Sequence, residues 1–305
     1  MSGEVSQARA LGKVILLGEH AVVYGSPAIA LALSVGARAS ADRAALSSLS
    51  LGRQRQVIGK SASEGEPAAR AFAELLAVLG ASNVAASAEL DLPAGAGLGA
   101  SAALGVALAR AVAGLNGWDP SAQTRIAEAA LAWEQVFHGN ASGIDTAVAE
   151  HGGCLWFTRR DGPSPLAPAR PLSVIAAQVE PGQSTRRMVE GVALSRQRDP
   201  GRVDAWLTTI AQLTEQARSA ILAGDLGQLG QLMRQNHEIL VDLGVSTAGL
   251  NQAVQRALDA GALGAKLTGA GGGGCVLALV DAGGRDAVLE AWRSYPCWAA
   301  STGVV

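Results

Sequence analysis

Apolar positions recur along this chain with two periods, one near two residues and one near 3.6, and they divide it into strands and helices. The unbroken run Val14-Ile15-Leu16-Leu17 predicts a buried strand, followed by the polar loop Gly18-Glu19-His20 and an apolar segment through Pro27 to Leu31. Residues 40–63 are polar and weakly patterned, as a hairpin would be. Ala68, Phe72, Leu75, Leu76 and Leu79 then fall at helical spacing, and Ser87 to Leu92 alternates as a strand does. Ala102 to Leu115 predicts a helix with Leu104, Leu108 and Val112 on one stripe, closed by Asn116-Gly117. Pro120 opens another, with Ile126, Ala129, Ala130, Trp133 and Phe137 facing inward. The loop HGNASG at 138–143 breaks it, and a short helix begins near Ile144.

Residues 159–171, RRDGPSPLAPARP, carry Pro163, Pro165, Pro168 and Pro171 and predict an exposed connector. A boundary placed there gives domains over 1–168 and 169–305. Beyond it, 172–179 predicts a strand, 202–222, 226–243 and 249–260 predict helices, and 276–280 a last strand. No repeat, charge block or disordered tract interrupts the pattern, and the fold class expected is α+β with two domains.

Composition narrows the setting. At 305 residues the core can be large, and a 49% hydrophobic fraction with only 4% aromatics points to close helix–sheet packing by small side chains. A net charge of -2 gives no electrostatic reason to expect nucleic acid or an anionic membrane as partner. Cys154, Cys275 and Cys297 form no C-x-x-C pair, which suits a reducing cytoplasm better than a disulfide framework. The apolar run at 14–17 is too short for a signal-peptide core, and Arg110 interrupts the best candidate for a membrane span. The expectation is a soluble, cytoplasmic protein.

Two glycine runs carry the candidate chemistry: PAGAGLGASAA at 93–103 and KLTGAGGGGC at 266–275. The first contains a G-x-G-x-x-A match (Gly95, Gly97, Ala100) between a strand and a helix, as a dinucleotide fold requires. That reading fails downstream, because the helix leads into another helix and not into a strand ending in an acid. The second run matches G-x-G-x-x-G (Gly269, Gly271, Gly274) but precedes a strand. A triphosphate suits the first run better, since glycines let backbone amides approach phosphate oxygens and the helix start adds unpaired amides and its positive dipole end. No Walker lysine signature occurs, so an ATP user would be of another kind. Ser101, at the loop–helix junction, has two readings at this point: a magnesium ligand through its hydroxyl, or a helix cap.

The loop PAGAGLGASAA resembles the P-x-x-x-G-L-G-S-S-A-A signature of the GHMP small-molecule kinases. GKVILLGEHAVVYGSPAIALAL at 12–33 and KLTGAGGGGC are similar to that family's N-terminal and C-terminal motifs. Within the family, LGEHAVVYG and WEQVFHGNASGID at 133–145 look most like the members that act on mevalonate. Two departures are visible: Leu11 stands where the family has Pro, and Ala100 where the first serine of its pair is usual. Neither removes a catalytic group.

The resemblance implies an N-terminal ribosomal-protein-like α+β domain and a C-terminal ferredoxin-like α+β domain, with the active site in the cleft between them. It implies ATP-dependent, Mg²⁺-assisted phosphorylation of the primary hydroxyl of (R)-mevalonate, as a step of isoprenoid synthesis. Sister kinases acting on phosphomevalonate, homoserine or a sugar, and a non-catalytic sensor of the same fold, are the alternatives. ATP would lie on Pro93, Ala94, Gly95, Ala96, Gly97, Leu98, Gly99, Ala100 and Ser101. Ser101 and Glu134 would hold magnesium, Asp145 would be the catalytic carboxylate, and Lys13 the cation close to both acceptor and Asp145. Glu19 and His20 would line the acceptor pocket, and Gly271 would close over the reacting groups. Thr185 and Arg186 suit the substrate carboxylate, since a guanidinium binds one bidentately. Each of these residues also has an ordinary structural role open to it: cap, solvated charge or turn. His138, His151 and His237 show no metal-ligand spacing. The family also implies a homodimer.

Overall fold

The computed structural model describes residues 5–52, 54–57, 66–93, 95–118, 123–138 and 143–302. By contact density the chain divides into two compact units that interleave in sequence. One comprises 1–12, 35–94 and 99–151; the other comprises 13–34, 95–98 and 152–305. Two long strands, β1 (Ser6–Leu17) and β2 (Ala28–Arg43), each contribute to both, which is why the units do not follow one cut in sequence order.

In the first unit, the C-terminal half of β2 pairs antiparallel with β5 (Val84–Leu90), from Ala37 opposite Leu90 to Arg43 opposite Val84. β5 runs parallel to β3 (Ser48–Leu51), which turns back antiparallel on β4 (Gln54–Val57), so the polar stretch does form the expected hairpin. Helices α1 (Pro67–Leu79), α2 (Ala100–Leu115), α3 (Gln123–His138) and α4 (Ile144–His151) complete this unit. α1 begins with Pro67 in its first turn, where the missing amide costs no hydrogen bond, and stops at Gly80 in the left-handed conformation. Phe72, Leu75, Leu79, Leu108, Val112 and Trp133 are buried in its core, and the alanines of α2 allow close approach around them. The predicted helix start at Pro120 and most of the HGNASG loop, residues 139–142, lie outside the described residues.

In the second unit, the N-terminal half of β2 pairs with β6 (Cys154–Thr158), and β7 (Gly162–Pro165) lies on β6. The proline-rich stretch read as a connector therefore contains an edge strand. Prolines 163 and 165 are tolerated there because an edge strand need not donate every amide. A second, antiparallel sheet has the order β11–β8–β10–β9, built from β8 (Ser173–Glu180), β9 (Gly264–Thr268), β10 (Gly274–Val280) and β11 (Cys297–Ser301). Its helices are α5 (Thr185–Arg198), α6 (Pro200–Ala223), α7 (Leu226–Asp242), α8 (Ala248–Asp259) and α9 (Arg285–Ala291). Ser184, Asp199, Asp225 and Thr247 each cap a helix by accepting from an amide three residues on. Ile210, Leu240, Leu250, Val276 and Trp292 form the buried centre.

Candidate active site

β1 delivers Lys13, which is only 3% exposed. Its Nζ donates to the Gly97 carbonyl at 3.1 Å and its own amide donates to the Leu98 carbonyl at 2.9 Å. The first glycine run is thus tied to β1 by side chain and backbone together. Beyond β1 the chain reverses through a γ-turn centred on His20, closed by Ala21 N donating to Glu19 O at 2.7 Å. His20 sits there at φ 61°, ψ -46°, a strained conformation for a residue with a Cβ. Its Nε2 lies 2.9 Å from the carbonyl of Ala270, in the second glycine run. A carbonyl only accepts, so Nε2 carries the proton. Burial lowers the imidazole pKa, the Lys266 charge lowers it further, and the Ala270 bond opposes them; the ring is neutral at pH 7.

Glu19 is fully buried against two partners that the sequence did not suggest. Lys266 of β9 forms an ion pair with it, and Asn236 Nδ2 of α7 donates to its other oxygen at 3.2 Å. Lys266 also donates to the Leu267 carbonyl at 2.7 Å. Burial pulls the Lys266 ammonium below its usual pKa, and Glu19 opposes that shift. Asn236 Oδ1 has no hydrogen-bond partner among the described residues. Glu19 is therefore engaged by groups of its own unit, at the foot of the turn that carries His20.

In the other unit, Gly99 precedes α2 at φ 73° and no side chain caps the helix. The first helical bond runs from Ala103 N to Gly99 O at 2.9 Å, so earlier amides have no acceptor within the helix. Trp133 of α3 packs where a Cβ on Gly105 would stand, 2.7 Å from its ring, and donates Nε1 to the Ser101 carbonyl at 3.1 Å. That close helix crossing brings the neighbouring Glu134, 3% exposed, to the Ser101 hydroxyl, which donates to Oε1. Ser101 is thus not a side-chain cap of α2. Asp145 is half-buried in the first turn of α4, where the helix dipole favours an anion.

The remaining sequence candidates fall as follows. Thr185 and Arg186 open α5, and Arg186 is turned to solvent with its guanidinium on Glu190 at 2.8 Å. Gly271 is buried at φ 78°, and a Cβ there would stand 2.1 Å from the Val245 carbonyl. In the first run, Pro93 is half-buried, Gly95 is exposed, and Ala96, Leu98, Gly99 and Ala100 are buried; Ala94 lies outside the described residues. One unit therefore gathers Lys13, Glu19, His20, residues 95–98 and Gly271, and the other gathers Ser101, Glu134 and Asp145. Among the described residues no cluster of three or more His, Cys, Asp or Glu could hold a metal. Lys266, Asn236 and Thr268 were missed by sequence reasoning. A lysine inside the alternating run KLT was the one available signal; nothing in the chain pointed to Asn236.

Two family models match the chain: the GHMP kinases N terminal domain over residues 66–153 and GHMP kinases C terminal over residues 217–296. The mevalonate kinase of Aeropyrum pernix is 35% identical over 298 residues, covering 93% of this chain and 91% of that protein. The mevalonate kinase of Thermococcus sibiricus is 34% identical over 296 residues, covering 89% and 88%. Among solved structures, L. major mevalonate kinase in complex with R-mevalonate matches with a TM-score of 0.86 at 27% identity, over 100% of this chain and 98% of that one. Streptococcus pneumoniae phosphomevalonate kinase in complex with phosphomevalonate and AMPPNP shares the fold, with a TM-score of 0.79 at 17% identity over 95% and 96%. Identity of this extent along nearly the whole length, on one shared fold, means that the chain belongs to the GHMP kinase family, among its mevalonate kinases.

Proposed function

We propose that the chain transfers the γ-phosphoryl group of ATP to the primary hydroxyl of (R)-mevalonate, giving 5-phosphomevalonate and ADP for isoprenoid synthesis. The observation that carries this reading is the 35% identity to a mevalonate kinase over 93% of the chain. In this reading the segments 1–168 and 169–305 are the two functional domains, and the two family-model matches fall on either side of that division.

Phosphoryl transfer asks the protein to position groups and stabilise charge. The uncapped start of α2 and the amides of residues 95–99 supply donors for the triphosphate. Lys13 balances charge on the acceptor oxygen. Asp145 accepts a hydrogen bond from the acceptor hydroxyl and orients it. Its place in the first turn of α4 fixes the carboxylate, and orientation suffices when the proton leaves late in the transfer. Ser101 and Glu134, already joined by a hydrogen bond, offer the hard oxygen donors that suit Mg²⁺ and would hold it. Magnesium, when bound, neutralises phosphate charge. The neutral His20 presents Nδ1 as an acceptor for a substrate hydroxyl, and Thr185 and Arg186 meet the carboxylate once Arg186 leaves Glu190.

A cytoplasmic setting is supported by the three free cysteines, of which Cys154 and Cys275 have their thiols pushed up to about 12 by burial. No helix among the described residues is long and apolar enough to cross a membrane. Coupled ADP release with mevalonate, phosphomevalonate, homoserine and galactose side by side tests the function. Turnover on mevalonate no faster than on the others would remove the substrate assignment and leave the kinase.

A further inference from the structure

One edge of β1 is taken by β2, and its other edge is closed at two positions that lie two residues apart. In an extended strand the amides of residues i and i+2 point the same way. The first, Lys13 N, donates to Leu98 O at 2.9 Å; the second, Ile15 N, donates to the Thr268 hydroxyl, also at 2.9 Å. The same hydroxyl donates to Ile15 O at 3.0 Å. One side chain therefore stands in for both the carbonyl and the amide that a neighbouring strand would supply. Ile15 and Thr268 are both buried, so water offers little substitute. Thr268 also ends β9 beside the first glycine run: a Cβ on Gly97 would lie 3.8 Å from Thr268 O, and Gly97 O is the acceptor of Lys13 Nζ.

We propose that Thr268 is a positioning residue for phosphoryl transfer, its hydroxyl fixing Ile15 and thereby the stance of Lys13 against the first glycine run. The proposal rests on the reading of Lys13 as the cation at the acceptor oxygen. Valine has the shape of threonine and makes neither bond, whereas serine makes both. A hydroxyl that served stability alone would change Tm and leave turnover; one that acts through Lys13 changes turnover only while Lys13 is present.

The experiment compares Thr268→Val, Thr268→Ser, Lys13→Met and the Lys13→Met/Thr268→Val double variant by kcat, KM for ATP and mevalonate, and Tm. Thr268→Val is expected to lower kcat roughly 10- to 100-fold, the scale of a small misplacement, with both KM values within about threefold. Thr268→Ser should stay within about threefold of the parent kcat. In the Lys13→Met background, adding Thr268→Val should lower kcat by less than about threefold, as coupled sites require. Retained kcat with a lowered Tm in Thr268→Val, or an equal loss in both backgrounds, overturns the proposal. Near-parent kcat in Lys13→Met alone overturns the reading of Lys13, and the proposal with it. If Thr268→Val does not fold, Thr268→Ala against Thr268→Ser makes the same comparison.

Discussion

The two glycine runs look interchangeable on paper and differ in what surrounds them. In the first, an added Cβ at Gly95 meets nothing within 4 Å, and at Gly97 the nearest atom is 3.8 Å away. In the second, a Cβ on Gly271 would stand 2.1 Å from Val245 O, and on Gly273 2.3 Å from Pro181 O. Positive φ is common to both, so backbone shape alone requires glycine in each. Space separates them. The first run borders open room next to an uncapped helix start, and the second is pressed into its own backbone neighbours. A glycine run can thus be kept for what approaches it or for what already touches it, and only the neighbours tell which.

The comparison can be broken at five positions. Asp145→Asn, at the carboxylate proposed to orient the acceptor hydroxyl, should lower kcat by roughly 10²- to 10⁴-fold with KM for ATP little changed, as steady-state kinetics would read. Near-normal turnover would remove that carboxylate from the reaction. Gly271→Ala forces an atom into the Val245 carbonyl and should cost more than about 3 kcal/mol, seen as a large fall in Tm or loss of soluble protein. Its counterpart Gly95→Ala should cost only about 1 kcal/mol of left-handed strain, yet raise KM for ATP several-fold. Equal stability losses in the two variants would erase the distinction.

His237 tests the packed region through pH. Its Nδ1 accepts from the amide of Leu267 in β9, and burial, aided by the Lys266 charge, pulls its pKa down to about 4. Below about 6.5 the unfolded chain takes up a proton that the folded imidazole refuses, so stability falls as pH drops from about 6.5 to about 4. The loss is up to about 3 kcal/mol from this group. His237→Asn keeps an acceptor, does not titrate, and should flatten denaturation midpoints over that window. An unchanged slope would contradict the buried neutral ring. Ser101→Ala should raise the Mg²⁺ needed for half-maximal rate about tenfold. An unchanged Mg²⁺ requirement would return Ser101 to a structural role.

Periodicity made some elements legible nearly to the residue. α1 and α7 carry clear apolar stripes: α1 takes in every apolar position expected from Ala68 to Leu79, and α7 matches the expected span 226–243 closely. α5 was missed because TRRMVEGVALSRQR buries only Val192 and so shows no stripe. β9 was hidden inside the glycine motif, since GAKLT includes a glycine and a lysine, residues that argue against a buried strand. Lys266 is tolerated there only because Glu19 meets its charge, and those two residues are 247 positions apart.

The chain's order of residues was enough to determine where helices alternate with strands, which loops are built for close backbone approach, and which family's motifs it carries, because those signals are local. Tertiary structure alone decided that Glu19 spends its charge on Lys266, that Trp133 against Gly105 brings Glu134 to Ser101, and that Thr268 closes the edge of β1 at Ile15. Each of these depends on two segments meeting in space, and local propensity carries no information about which distant partner will satisfy a buried charge or an unpaired amide.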